Sequence, residues 1–409
     1  MPETTAGDRG MTTSAHGHGP APRATPRVRL VLALSVLPAL VLTIIGLVTL
    51  WPGADDRVDR IPTVAEGGSY LRADVTRVLP EAGLLEVEVD GLVELAYVPP
   101  EAIAGGVEAG DRIKLLSIPQ APDDGVAYVF VDHVRDLPIG ALAIAYAALV
   151  ALVARWRGLA ALVGLVVALG LIAVFTLPAL LAGYNALYVG VVTASAAMFV
   201  VLYLAHGFSA RTTTALLGTL LGLGLTAVLA GWATGAARLT GMTGEDALVL
   251  PSFAPEADLR GVVLCGIILA GLGVLNDVTI TQASAVWELK TIAPHLSPVE
   301  LFRRGMRIGR DHIASTVYTI AFAYVGAALP VMLLVSLYDQ PLGDTLTAGE
   351  VAEEVVRTLV GSIGLVAAIP LTTAIAVAVV SAGGRGQAAQ SDAVDHVRAP
   401  GPAQEPAPR

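Results

Sequence analysis

Long apolar runs alternate with short polar connections through most of the chain, and each run approaches the roughly 20 residues that a helix needs to cross a bilayer. The first run, Leu30–Trp51, follows three arginines and is longer than a signal-peptide core, so 28–51 is predicted to be an uncleaved transmembrane helix. The later predicted spans are Ile139–Ala154, Leu159–Phe175, Ala186–Leu204, Thr212–Trp232, Val262–Thr281 with an extension to Leu289, His312–Leu337 and Val355–Val380.

These runs predict a bundle of about seven spans over 137–380, and about eight with the first helix. Between the third and fourth spans, Leu177–Asn185 is apolar but broken by a proline and a glycine, which predicts a short loop or a re-entrant turn. Gly218 and Gly222 have the GxxxG spacing that is typical of close helix contact.

Residues 52–136 form the one long segment with a different period. Apolar and polar residues alternate on both sides of the turn Asp90–Gly91, which predicts a β-hairpin. About five short strands in this segment favour a small closed barrel of OB or SH3-like type. The predicted strands are Tyr70–Val78, Leu85–Val89, Val93–Tyr97, Asp111–Ile118 and Val126–Val134.

The two ends of the chain, 1–27 and 381–409, are too poor in large apolar residues to fold alone and are predicted to be disordered tails. His16 and His18 in the first tail make an incomplete metal site. Cys265 is the single cysteine, so an intrachain disulfide is excluded. We therefore expect neither a metal nor a cofactor.

Composition agrees with a polytopic α-helical membrane protein, since 55% of residues are hydrophobic, 15% are charged and the mean hydropathy is +0.70. The expected partner of the bundle is the lipid bilayer. Arginine and lysine concentrate in alternate connections, and the positive-inside rule then predicts a multi-pass protein of a bacterial plasma membrane with both termini in the cytoplasm. The β-barrel-like domain is then extracytoplasmic.

Charge also bears on the role of residues 52–136, which carry 17 Asp and Glu against 7 Lys and Arg. An oligonucleotide-binding barrel needs a basic, aromatic-lined groove, and the acidic balance argues against one. We therefore expect no nucleic acid partner. A structural role, or the docking of a protein partner, is the favoured interpretation.

The sixth span turns polar before it leaves the bilayer. Asp277, Thr281, Ser284 and Glu288 recur at i, i+4, i+7 and i+11, so a continuous helix places them on one face, beside Asn276. A rise of ~1.5 Å per residue puts Asp277 roughly 22 Å into a hydrocarbon core of roughly 30 Å. A carboxylate at that depth is costly unless it is protonated, paired or hydrated, which makes it a candidate proton or ion site.

The start of the seventh span carries Arg310, Asp311 and His312. Because the two spans are consecutive and antiparallel, Asp277 or Glu288 is expected to pair with Arg310 or His312, as in a proton or cation relay. The alternative is an ion-pair collar at the inner membrane boundary. His206, in a cytoplasmic turn, fits a helix cap better than a proton gate, because a protonated histidine is favourable at a helix carboxyl terminus.

Enzyme signatures are absent from the sequence, with no Walker loop, no Gly-x-Ser-x-Gly elbow and no HExxH. No catalytic residue is therefore predicted, and the chain is expected not to be an enzyme.

Several strings resemble the YibE/F-like membrane proteins, particularly those of actinobacterial type. They are Leu275–Glu288, Arg307–His312, Val355–Pro370 and the turn Ala205–Arg211. Together they cover roughly 137–380. The resemblance implies a multi-span plasma-membrane protein and implies no catalytic residues.

Two functions follow from the residues. The first is a transporter or permease for a small ion or solute, with the polar site on the sixth span. The second is a membrane scaffold or accessory subunit whose extracytoplasmic domain docks a partner.

Overall fold

The computed structural model describes residues 25–54, 56, 58, 61–118, 126–339 and 341–398. His16, His18 and the ends of both predicted tails lie outside the described residues. The chain forms two compact units, one made of residues 58–162 and the other of the segments up to 57 and from 163. The helices are α1 Pro26–Thr49, α2 Pro100–Ala104, α3 Asp136–Leu171, α4 Leu177–Leu181, α5 Ala186–His206, α6 Ala210–Ala236, α7 Glu245–Phe253, α8 Leu259–Ile292, α9 Pro298–Ala327, α10 Leu329–Ser336, α11 Leu342–Leu346 and α12 Gly349–Arg398.

The first unit contains a five-stranded barrel, as the sequence predicts. The strands close in the order β1-β2-β3-β5-β4, with β3 and β5 parallel and every other pair antiparallel. This closure, with α2 between β3 and β4, favours the OB type of barrel over the SH3-like type. The strands are β1 Ser69–Leu79, β2 Leu84–Val89, β3 Leu92–Tyr97, β4 Arg112–Ser117 and β5 Tyr128–His133.

The alternation in the sequence explains the barrel core. Val75, Leu85, Val87 and Ile113 point inward and are almost fully buried, while their chain neighbours face out. The predicted hairpin turn is present, because Asp90–Gly91 connects β2 to β3 with positive φ angles of 52° and 82°.

Six helices of the described chain are long and apolar enough to cross a membrane, and a bent pair makes seven if it is one span. They are α1, the segment Asp136–Leu181, α5, α6, α8 and the first part of α12. The bent pair is α9 and α10, whose axes differ by 67°. Pro330 at the start of α10 has no N–H for the preceding turn, which explains the bend.

The segment Asp136–Leu181 is interrupted at Arg155, where φ is 55° and ψ is −138°. A Cβ built on Gly158 would lie 2.6 Å from the carbonyl oxygen of Val150. Eight residues of straight helix would separate such positions by about 12 Å, so the helix is sharply kinked here. The kink lies at the connection predicted between the spans Ile139–Ala154 and Leu159–Phe175.

Two other predicted segments differ from the structure. Leu177–Leu181 is helical and continues α3 through the π-helical turn Ile172–Thr176, so the predicted loop is wrong there and only 182–185 connect to α5. Pro178 is tolerated because it lies in the first turn of α4. At the other end of the chain, α12 continues to Arg398, where the sequence predicts a disordered tail.

The bundle packs around α8, with α6 and α12 against it. The predicted GxxxG contact on α6 is present, because a Cβ on Gly218 would overlap Thr372 of α12. A Cβ on Gly222 would lie 2.8 Å from Leu275 of α8 and 3.1 Å from Ala368 of α12. Glycine at both positions therefore lets three helices approach closely.

Candidate functional site

The polar face of α8 is continuous, because the helix runs without interruption from Leu259 to Ile292. Asp277, Thr281 and Glu288 are exposed on that face, and Ser284 is half-buried. The extension beyond Thr281 that the sequence suggested is therefore present. Arg260 and Lys290, near the two helix ends, are separated by about 45 Å along the axis, which matches the full thickness of a bilayer.

Asp277 lies about 20 Å along α8 from Lys290 and about 26 Å from Arg260, at a rise of ~1.5 Å per residue. It is therefore far from both charged helix ends. Its side chain is 69% exposed in the isolated chain. In a bilayer, a carboxylate at such a position requires water, a proton or a partner.

The structure brings Asp277 and His312 together, as one of the predicted pairings. Nε2 of His312 lies 3.8 Å from Oδ2 of Asp277, which is within ion-pair distance but too long for a hydrogen bond. Nε2 of His312 is buried and has no hydrogen-bond partner in the described chain, and the same is true of Oδ1 of Asn276. One turn of α8 therefore supplies a carboxylate and an amide oxygen, and α9 supplies an imidazole nitrogen. These groups form no hydrogen bonds with one another.

The approach of α9 to α8 follows from its sequence. Ser297 and Glu300 form a capping box that starts α9, and the hydrogen bonds from Ser297 hold the pKa of the Glu300 carboxyl below its ordinary value. Gly305 and Gly309 follow on the buried face of the helix, where a Cβ on Gly305 would lie 3.2 Å from Val286 of α8 and a Cβ on Gly309 would lie 3.2 Å from Oε1 of Gln282. These glycines allow the close packing that carries His312 to Asp277.

Gln282 fixes the same junction, and the sequence analysis did not identify it. Its Nε2 donates hydrogen bonds to the carbonyl oxygen of Gly305, at 2.9 Å, and to Oγ1 of Thr373, at 2.7 Å. One buried amide thus joins α8, α9 and α12. A single glutamine among the apolar residues of a membrane helix was the signal that could have identified it.

The other predicted partners do not join the site. Arg310 and Asp311 are exposed, and within the described residues neither forms an ion pair with Asp277 or Glu288. Glu288 instead lines a groove of about 690 Å³ with Arg29, Arg211 and residues of α1 and α5. The predicted pairing of Glu288 with α9 is therefore not formed.

His206 ends α5, as the helix-cap interpretation requires. Its carbonyl oxygen accepts a hydrogen bond from the Thr212 hydroxyl at 3.4 Å, across the turn into α6. This geometry places the residue at a helix terminus.

A second charged group inside the bundle, Glu353, falls between the predicted spans His312–Leu337 and Val355–Val380. Because α12 begins at Gly349, Glu353 is within the helix and only 8% exposed, and its Oε1 has no hydrogen-bond partner in the described chain. Glu354 pairs with Arg357 at 3.0 Å. The sequence does not reveal the cluster of Glu353, Glu354 and Arg357, because the whole acidic stretch before Val355 is typical of a connection.

No group of three or more His, Cys, Asp and Glu side chains that could hold a metal ion is found in the described ranges. The Asp277–His312 pair with Asn276 offers one carboxylate and one imidazole, which is fewer ligands than a structural zinc site uses.

Comparison with known proteins gives one result. A family model described as YibE/F-like protein matches residues 142–382, which is more than half of the chain and includes α5 to α11 whole. Asp277, His312, Gln282 and Glu353 all lie within the matched region. No curated protein and no solved structure matches the chain.

Proposed function

We propose that this member of the YibE/F-like family is a membrane transporter or permease. In this proposal the Asp277–His312 pair binds the transported or coupling ion. The observation that carries the proposal is the 3.8 Å separation of two side chains that each change charge on binding a proton. The pair lies in the middle of α8, far from both charged ends. A purely structural ion pair is costly at that depth in a bilayer.

The transport proposal includes a topology of eight spans in a bacterial plasma membrane. The sharp kink at Arg155 supports two spans in place of one long helix, and the bent pair of α9 and α10 supplies one more. An even number of spans leaves both termini on the same side. The positive connections, which include Arg157, Arg211 and Lys290, favour the cytoplasm for them and the outer side for the barrel.

Polar side chains of α12 support a path for the ion along α8. Arg357 of α12 approaches α8 at Gly266, where a Cβ would lie 3.8 Å from its guanidinium. Gly266 is eleven residues before Asp277, or about 16 Å along the helix. The buried carboxyl of Glu353, one turn from Arg357, extends the polar groups toward the opposite side from Lys290.

Carbodiimide labelling tests the proposed site. The hydrophobic reagent dicyclohexylcarbodiimide reacts with protonated carboxyl groups inside a bilayer, and mass spectrometry locates the adduct. In nanodiscs of the full chain, we expect Asp277 to be labelled, with less labelling as the pH rises and a changed pH dependence in His312→Ala. No labelling of Asp277 at any pH at which Glu353 or another intramembrane carboxyl reacts would contradict the proposal.

A second function is favoured by one feature of the barrel. Strand β3 exposes Leu92, Val93 and Leu95, and its parallel pairing with β5 involves only Ala96 and Tyr97. In the part of the barrel that is described, residues 92–95 of β3 have no strand on that side. An apolar strand with an open edge is suited to pairing with a strand of a partner protein. This supports the scaffold or accessory-subunit alternative.

A photo-crosslinking residue placed at Val93 in cells tests this alternative. The scaffold function predicts one discrete crosslinked product, lost when Leu95 is changed to Arg. The same crosslinker at Arg77, on the outer surface of β1, is the control and should give no such product. Crosslinks that are equal at both positions would count against a docking strand.

A further inference from the structure

The acidic barrel unit gathers its positive charge around one pocket. Three of the 7 Lys and Arg in residues 52–136 line it, namely Arg72, Lys114 and Arg135, together with His133. The pocket has a volume of about 380 Å³ and lies on the face made by β1, β4 and the end of β5. The sequence balance, which argued against a basic site, did not reveal this clustering because the three residues come from β1, β4 and the segment that follows β5.

Lys114 is the cation in this pocket that is free to bind an anion. Its Nζ lies 3.9 Å from the centre of the Tyr70 ring, and no carboxylate of the described chain lies within ion-pair distance of it. A cation–π contact holds the ammonium group in place and leaves N–H donors available.

Both arginines of the pocket are positioned by carboxylates but keep donors. Arg72 binds Asp136 at 2.7 Å and Arg135 binds Asp132 at 2.7 Å, and all four side chains are more than half exposed. Each guanidinium has five N–H donors, so an anion can bind without breaking either pair. The Arg135 guanidinium lowers the pKa of the Asp132 carboxyl, which keeps that pair ionised.

The pocket lies at the start of a membrane helix. β5 ends at His133 and α3, part of a candidate membrane span, begins at Asp136. Leu137 and Ile139 of its first turn are exposed apolar residues, as expected where a helix enters lipid. Arg135 is therefore within a few residues of the hydrocarbon, at the level of the lipid headgroups.

From this arrangement we infer that the pocket of Arg72, Lys114 and Arg135 binds the phosphate group of an anionic phospholipid. Guanidinium and ammonium groups are the side chains that bind phosphate oxygens, and the position of the pocket selects phosphate that is carried by lipid. The nucleic-acid surface of OB barrels lies on strands 2 and 3, whereas this pocket uses strands 1, 4 and 5. The inference does not depend on the proposed transport function.

Native mass spectrometry of the full chain in detergent tests it, with phosphatidylglycerol and zwitterionic phosphatidylcholine as probes. We expect preferential retention of phosphatidylglycerol, and about tenfold weaker binding in Lys114→Ala and in Arg72→Ala, the loss expected for one contact to a charged group. Arg77→Ala is the matched control, because Arg77 is on the same strand as Arg72, equally exposed and paired with Glu86, but outside the pocket.

Three results would overturn the inference. They are equal retention of the two lipids, unchanged retention in both pocket variants, or equal loss in Arg77→Ala. A calorimetric titration with inorganic phosphate separates the two sources of the anion. Saturable phosphate binding that Lys114→Ala weakens, without a preference for phosphatidylglycerol, would replace the lipid with free phosphate. The melting temperature of each variant shows that the chain remains folded.

Discussion

Oδ2 of Asp277 lies 3.8 Å from Nε2 of His312, across two antiparallel helices that Gln282 and two glycines hold together. Nε2 of His312 and Oδ1 of the neighbouring Asn276 are buried and have no hydrogen-bond partner among the described residues, and a proton or a cation would complete the site. The predictions below separate this role from a purely structural one.

Asp277→Asn should remove proton binding without unfolding the protein. Among the charged groups of the described residues, the side chain contacts only His312, and it is largely exposed, so the amide should change stability by no more than about 0.5 kcal/mol. We expect loss of the transient charge movement that a pH jump produces in proteoliposomes on a solid support. Thr281→Val, one turn away on the same face, should keep the signal. Equal signals in wild type and Asp277→Asn would exclude Asp277 as the proton site.

Gln282→Met should weaken the bundle while leaving Asp277 in place. The change removes two hydrogen bonds and leaves the Thr373 hydroxyl without its buried donor, so we expect a loss of about 1–3 kcal/mol. Thermal unfolding in detergent measures it, with Thr281→Val as the neighbouring exposed control. A melting temperature equal to that of the control would show that the three-helix link contributes nothing.

Gly218→Ala and Gly224→Ala are matched changes on one helix with opposite expected results. The first puts a methyl group against Thr372 and should cost about 1–3 kcal/mol. In the second, the added Cβ would have no atom of the described residues within 4 Å. It should stabilise α6 by up to about 1 kcal/mol, because alanine has a higher helix propensity than glycine. Unfolding in detergent compares them, and equal effects would contradict the packing of α6 on α12.

If the kink at Arg155 separates two spans, Arg157 and the barrel lie on opposite sides of the membrane. In a Cys265→Ala background, which removes the buried native thiol, single cysteines at Arg157 and Glu88 should react with an impermeant reagent from opposite sides of the membrane. Glu88 on the barrel should react from outside and Arg157 from inside. If Asp136–Leu181 were one straight span, Arg157 would lie within the bilayer and would not react from either side.

The sequence predicted the elements whose residue period is strong. The alternation around Asp90–Gly91 located the hairpin, and spacing alone placed Asp277, Thr281 and Glu288 on one face of α8. The pairing of Asp277 with His312 was one of the predicted combinations, because consecutive antiparallel helices bring their joined ends together. These results follow from local geometry.

The remaining features depend on contacts between distant segments. Gln282 lies off the polar face and becomes important only because Gly305 and Thr373 meet it from two other helices. Lys114, Arg72 and Arg135 form a pocket only after the barrel closes in its particular strand order. Glu353 was assigned to a loop because helix ends are poorly marked in an acidic stretch. No periodicity in the sequence records these relationships.

Access of water to the polar face of α8 distinguishes a hydrated ion site from an interfacial collar. In the Cys265→Ala background, single cysteines replace Asp277, Thr281 and Ser284, with Leu221, an exposed apolar residue of α6, as the lipid-facing control. A hydrated ion site predicts that an impermeant thiol reagent labels all three positions and leaves the Leu221 cysteine unmodified. A Glu288→Cys variant is measured beside them, and labelling of that cysteine alone, with Asp277→Cys and Thr281→Cys unreactive from both sides, would exclude a hydrated ion site and leave an interfacial collar in its place.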